Sequence, residues 1–101
     1  MYDMNNLKKL GALGKNADKA MKAFQAFDSI ALEDGAIPVK YKELMAVAVA
    51  LTTQCPYCLE IHKDKAIKAG ATEEELAEVT FISAALRAGA AVVHGTHLME
   101  K

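Results

Sequence analysis

Cys55 and Cys58 are the only cysteines in the chain, and they stand together as Cys-Pro-Tyr-Cys. His62 follows the second cysteine by four residues, and Glu43 precedes the first by twelve. Two thiols at this spacing can close into a small-loop disulfide, and the surroundings of each sulfur decide which is the reactive thiolate. An imidazole supplies a base that can take a thiol proton, and a carboxylate can orient and charge-balance that imidazole. On a helix, Cys55, Cys58 and His62 fall within roughly 60° of one another, one stripe at the helix start. Free N–H groups and the positive end of the dipole favour a sulfur anion there. The spacing predicts Cys58, nearest His62, as the nucleophile that attacks a peroxide O–O bond and becomes a sulfenic acid. Cys55 then condenses with it to a disulfide, and an external thiol reductant reopens the pair.

The elements that must hold these residues read as helices throughout. A first stretch covers Asp3 to Leu13, interrupted by Gly11 and Gly14, and a second runs from Ala17 to Asp34. In the second, Phe24, Phe27, Ile30 and Ala31 recur at helical steps, and Gly35 is expected as its left-handed stop. From Val39 to Thr53 the chain is almost wholly apolar beyond its polar start, which predicts a helix buried on most sides. The break falls at Thr53-Gln54, because Pro56 belongs in the first turn of a new helix. That helix, Pro56 to Ala69, stops at Gly70. Thr72 with Glu75 forms a capping box for the last helix, where Leu76, Val79, Ile82, Ser83 and Leu86 share a face and Gly89 is a point of kinking. The fold class is all-α, a compact oligomeric helical bundle formed by one domain over residues 1–101.

Composition narrows the partners. The chain has 101 residues, 52% of them hydrophobic but only 6% aromatic, so Ala, Leu, Val, Met and Ile fill its interior. A net charge of −1 offers no footprint for nucleic acid or an anionic bilayer. The longest uninterrupted apolar run, Leu44 to Leu51, is eight residues, too short to span a membrane. The N-terminus lacks the basic and apolar pattern of a secretion signal, so a reducing cytoplasm is the expected location. A CxxC pair there is catalytic, redox-sensing or metal-binding rather than structural. So apolar a short chain also exceeds what one core can hide, and self-association is expected.

The principal rival is zinc, for which Cys55, Cys58 and His62 would supply three ligands and Glu43, His94 or His97 the fourth. A non-catalytic scaffold that retains the motif is its companion. Covalent haem attachment requires His directly after the second cysteine, where this chain has Leu59. His94 and His97 are expected to make local polar contacts or to sit at a subunit boundary. No cofactor is expected.

A Glu, eleven residues, Cys-x-x-Cys, three residues and a His, here Glu43, Cys55, Cys58 and His62, resembles the AhpD-like alkylhydroperoxidase branch of the carboxymuconolactone decarboxylase superfamily. The flanks are similar too, Lys-Glu-Leu-Met-Ala-Val-Ala-Val-Ala before the motif and Ala-Gly-Ala-Thr-Glu-Glu-Glu-Leu-Ala-Glu-Val after it. The resemblance implies an all-helical trimer or hexamer with thiol-dependent peroxidase activity on hydroperoxides. It implies Cys58 as the cysteine oxidised to sulfenic acid, Cys55 as proton donor and resolving thiol, and His62 with Glu43 as the relay. An unidentified thiol or disulfide reductase is the implied electron donor. This chain departs from the pattern at Tyr57, where the best-studied alkylhydroperoxidases carry a second His.

Overall fold

Three of the helices carry the site, and their order follows the breaks written in the sequence. A computed structural model describes residues 2–100. A 3-10 turn, Met4–Lys9, capped by the Asp3 side chain on the Asn5 N–H, leads into α1 (Leu10–Asn16) and α2 (Asp18–Leu32). Helices α3 (Val39–Thr53), α4 (Pro56–Lys68) and α5 (Glu73–His94) complete the chain. Among the described residues there is no strand, as expected.

Several boundaries differ from the expectations, each for a local reason. Gly11 and Gly14 do not interrupt α1; Gly14 is buried, and a Cβ there would meet the Met21 side chain at 3.1 Å. Gly35 is not a left-handed stop. Instead α2 ends at Leu32, and Lys42 Nζ reaches back to the Ala31 and Glu33 carbonyls at 3.1 and 2.7 Å. This lysine satisfies carbonyls that a glycine cap would otherwise have served. The Thr72–Glu75 capping box forms as read, with both reciprocal bonds present. Gly89 neither divides nor ends α5, which continues to His94.

The core is a seam between α3, α4 and α5. Helix α3 presents Glu43, Leu44, Val47 and Ala50 inward, and Ala66 of α4 and Ser83 of α5 complete the buried set. Ser83 Oγ donates to the Val79 carbonyl, and Arg87 donates to the Thr52 carbonyl across to α3. The expectation that α3 is buried on most sides does not hold within one chain, because Met45 and Val49 face outward.

The molecule is long and thinly packed. Its radius of gyration is 17.0 Å, against about 13 Å for a compact domain of this length. Phe24, Phe27, Phe81, Leu86, Val92 and Val93 are all exposed. The segment Glu73–Leu98 is by length and composition apolar enough to cross a membrane. Counting uninterrupted runs overlooks it, because isolated polar residues such as Ser83 and Arg87 divide an otherwise apolar stretch.

Candidate active site

The CxxC turn is built by two backbone features. Gln54 closes α3 in the left-handed region, at φ 58° and ψ 47°, and swings the chain out of the helix. Cys55 is extended and forms the N-cap of α4, with Pro56 in the first turn, where its missing N–H leaves nothing unpaired. The Cys55 sulfur takes the place a serine or aspartate oxygen usually fills, accepting the Cys58 N–H at 3.3 Å. Cys55 is therefore a cap to the helix, while Cys58 and His62 ride on it one turn apart.

The sulfurs of Cys55 and Cys58 share a hydrogen bond at 2.7 Å, and both cysteines are free thiols. A disulfide needs about 2.05 Å, so closure asks for a movement of well under an ångström. This contact splits the acidities of the pair. Hydrogen bonds from the Cys58 thiol, then from the Cys58 and Tyr57 backbone, hold Cys55 below the ordinary thiol range. Cys58 is pushed up to about 11, first because its proton is held by Cys55, then by burial and by the charge on Cys55. Asp28 of α2 adds a smaller push in the same direction.

The spacing puts Cys55 on the helix stripe; in the fold Cys55 caps the helix, and its sulfur accepts an α4 amide. Cys55 is the more acidic thiol of the pair, and Cys58 holds its proton more firmly. Alkylation of the reduced protein at neutral pH with iodoacetamide, mapped by mass, should label Cys55 roughly tenfold faster than Cys58. Cys58 should catch up only as pH rises toward its raised value. Equal rates at the two sulfurs across that range would contradict the split.

His62 and Glu43 come together from α4 and α3. His62 Nδ1 and Glu43 Oε1 lie 2.6 Å apart, and Glu43 is only 4% exposed. Glu43 lies beyond the first turn of α3, so its placement serves the imidazole rather than the helix dipole. With Nδ1 engaged as donor to the carboxyl, Nε2 is the nitrogen left to accept a proton. Among the described residues no hydrogen bond joins His62 to Cys58; the thiol partner of Cys58 is Cys55.

The two sulfurs border different spaces. Cys58 and His62 line a cavity of about 690 Å³ whose walls include Leu10, Leu13, Met21 and Phe24, with Asp28 and Lys65 among its few charged groups. Cys55 instead borders a shallower cleft of about 360 Å³ with Leu51, Gln54, Pro56 and Leu59. A nonpolar molecule bearing a reactive oxygen or sulfur can thus reach Cys58 and the imidazole together, with Cys55 behind them.

All four residues singled out in the sequence lie in this region, as two pairs, Cys55 with Cys58 and Glu43 with His62. The fourth zinc donor does not arrive. Glu43 is engaged by His62, His94 and His97 sit together at the far end of α5 with ring centroids 5.6 Å apart, and no group of three potential ligands converges among the described residues. One contributor escaped the sequence reading, Asp28. Asp28 is a lone carboxylate one turn beyond Phe24 on a helix face that otherwise reads as core, and that mismatch was its only signal.

The comparisons concern the family and the fold. A family model described as the carboxymuconolactone decarboxylase family matches residues 18–101. Uncharacterized protein 4 of the cox locus of Paracoccus denitrificans is 40% identical over 97 residues, covering 93% of this chain and 87% of that one. An uncharacterized Cupriavidus necator protein is 37% identical, covering 88% and 79%. Among solved structures, an apo carboxymuconolactone decarboxylase family protein from Legionella pneumophila superposes with a TM-score of 0.76 at 33% identity, over 81% of this chain and 73% of that one. A Methanobacterium thermoautotrophicum protein reaches a TM-score of 0.80 at 28% identity, over 85% and 97%. With its helical architecture shared with these structures and the family model spanning most of its length, the chain belongs to the carboxymuconolactone decarboxylase family.

Proposed function

We propose that this protein is a thiol-dependent peroxidase of the alkylhydroperoxidase type, cycling Cys55 and Cys58 between dithiol and disulfide. The observation that carries the reading is the pair of close sulfurs backed by the His62–Glu43 couple, with Cys58 and His62 opening on one apolar cavity. Cys55, the more acidic thiol of the pair, is the one that ionises first at the start of α4. On binding of an organic hydroperoxide, the Cys58 proton passes to the Cys55 thiolate or to His62 Nε2. The Cys58 sulfur attacks the terminal peroxide oxygen, the O–O bond breaks, and the departing alkoxide takes up that proton to leave as an alcohol. Cys58 is now a sulfenic acid. Cys55, again as thiolate, attacks the Cys58 sulfur; hydroxide departs and is protonated to water. Two thiols and one hydroperoxide become one disulfide, one alcohol and one water. An external dithiol, itself oxidised to a disulfide, restores the pair by exchange.

Reduced protein mixed with one equivalent of an alkyl hydroperoxide in a stopped-flow instrument should lose two thiols per chain and form an intramolecular disulfide about 2 Da lighter. Unchanged thiols after many equivalents, with disulfide exchange toward small disulfides intact, would replace peroxidase by a pure dithiol–disulfide oxidoreductase. The reading also assumes a reducing compartment, such as the cytoplasm, in which the pair rests as the dithiol.

The same proposal includes self-association, as trimers or hexamers. Its support is the exposed apolar surface of α2 and α5, which one chain leaves uncovered. Light scattering at micromolar concentration should give a mass of at least three chains without detergent. A stable monomer, or a species that is soluble only with detergent, would overturn it, the second outcome in favour of a lipid contact for α5.

A further inference from the structure

Tyr57, the residue between Pro56 and Cys58, does more than fill the CxxC turn. Its phenol oxygen accepts the Asn6 side-chain N–H at 2.9 Å and the Asp3 backbone N–H at 3.2 Å. The Tyr2 ring stands edge-on to the Tyr57 ring with centroids 5.1 Å apart. The first residues of the chain are thus tied to the centre of the reactive motif, some fifty positions away. Asp3 caps the 3-10 turn over Asn5 at 2.9 Å, so the tied segment is an ordered turn.

The tie anchors one end of a longer apolar segment. Leu7, Leu10 and Leu13 extend from this turn over the cavity that Cys58 and His62 also border. Helix α1 then meets α2 at Gly14, packed on Met21. Residues 2–13 therefore form one wall of the Cys58 cavity, and that wall touches the CxxC turn through the Tyr57 phenol. The family match begins only at residue 18, so this wall lies outside the part of the chain that the family model describes.

We propose that residues 2–13 are a cover over Cys58, latched by the Tyr57 hydroxyl, and that Tyr57 thereby limits the size of the molecule that reaches this sulfur. The class admitted is a largely apolar molecule that fits beneath the three leucines in the cavity of about 690 Å³, such as an alkyl hydroperoxide, while bulkier reactants are held off. Tyr57 acts as a positioning residue through the cover. The inference rests on Cys58 as the reacting sulfur of the proposed function, and its test does not need peroxide turnover.

The latch is tested by two alkylating agents of different bulk, iodoacetamide and fluorescein maleimide, applied to the reduced full-length protein at one fixed pH, so that the thiolate fraction of each sulfur cancels in its bulky-to-small ratio. Labels are assigned to Cys55 or Cys58 by fragmentation mass spectrometry. Cys55 borders the other cleft and is the internal control. In Tyr57→Phe, which keeps the ring and loses the hydroxyl, the ratio of bulky to small labelling at Cys58 should rise roughly tenfold, as expected when the bonds to Asn6 and Asp3 are lost. The same ratio at Cys55 should stay within about twofold. Removal of residues 2–9 should raise the Cys58 ratio at least as much. A Cys58 ratio unchanged in both variants would overturn the proposal, as would equal increases at Cys55 and Cys58, which would mean a loosened turn. Peroxide inertness of every variant, with the Cys58 ratio still rising, would reject the peroxidase reading and leave the cover standing.

Discussion

Replacing Cys58 with serine should abolish peroxide consumption, whereas Cys55→Ser should retain a single turnover and accumulate a sulfenic acid on Cys58. The asymmetry arises from the two spaces the sulfurs border. Cys58 shares its cavity with the imidazole; Cys55 sits behind it as helix cap and condensing thiol. The acidity split adds a sharper expectation. Cys58 is held at about 11 chiefly by donating its proton to Cys55 and by burial. Removing the Cys55 sulfur takes away the first of these causes, so the Cys58 value should fall. A larger thiolate fraction at neutral pH then makes the first attack in Cys55→Ser faster than in the wild type, although the cycle cannot close. Serine at position 55 still caps α4, so this gain should not be masked by unfolding. Rapid mixing with dimedone trapping of the sulfenic acid reads both predictions. A single turnover surviving in Cys58→Ser and missing in Cys55→Ser would reverse the roles and make Cys55 the attacking sulfur.

The second large effect concerns the buried couple behind the thiols. His62→Gln should lower the rate of peroxide consumption by roughly 10²- to 10⁴-fold, the range associated with loss of a positioned acid–base group. It should also destabilise the fold by about 3 kcal/mol, because the Glu43 carboxyl, 4% exposed, loses its partner. Glu43→Gln retains the shape and an accepting oxygen, and should cost a smaller part of the rate and little stability. The double variant should be no slower than His62→Gln alone, since the carboxyl acts through the imidazole. Urea unfolding midpoints and single-turnover rates for the three variants check this. Strictly additive rate losses would mean that Glu43 contributes independently of His62.

The exposed apolar surface bears on both tests. With only Leu44, Val47, Ala50 and Ala66 as buried apolar side chains among the described residues, one chain has little core to set against the entropy of ordering five helices. Unfolding midpoints should therefore depend on protein concentration, as they do when folding and assembly are linked.

The helices, their breaks and the identity of the reactive residues were legible in the order of amino acids, because these are local matters. Pro56 can only open a helix, Thr72 and Glu75 cap one another three positions apart, and the spacing of Glu43, Cys55, Cys58 and His62 singles out a reactive centre. What stayed hidden depended on partners distant along the chain. The carbonyls of α2 are met by Lys42, eleven residues beyond Ala31, where sequence alone points to a glycine stop. Helical spacing places Cys55 on the helix stripe, whereas in three dimensions Cys55 leaves the helix to cap it. Tyr57 reads as a missing base in the sequence, and its contacts with Asp3 and Asn6 span more than fifty residues. Periodicity and capping are set by neighbours within a turn or two; acidity and access are set by whatever the folded chain brings alongside, and no spacing rule encodes that.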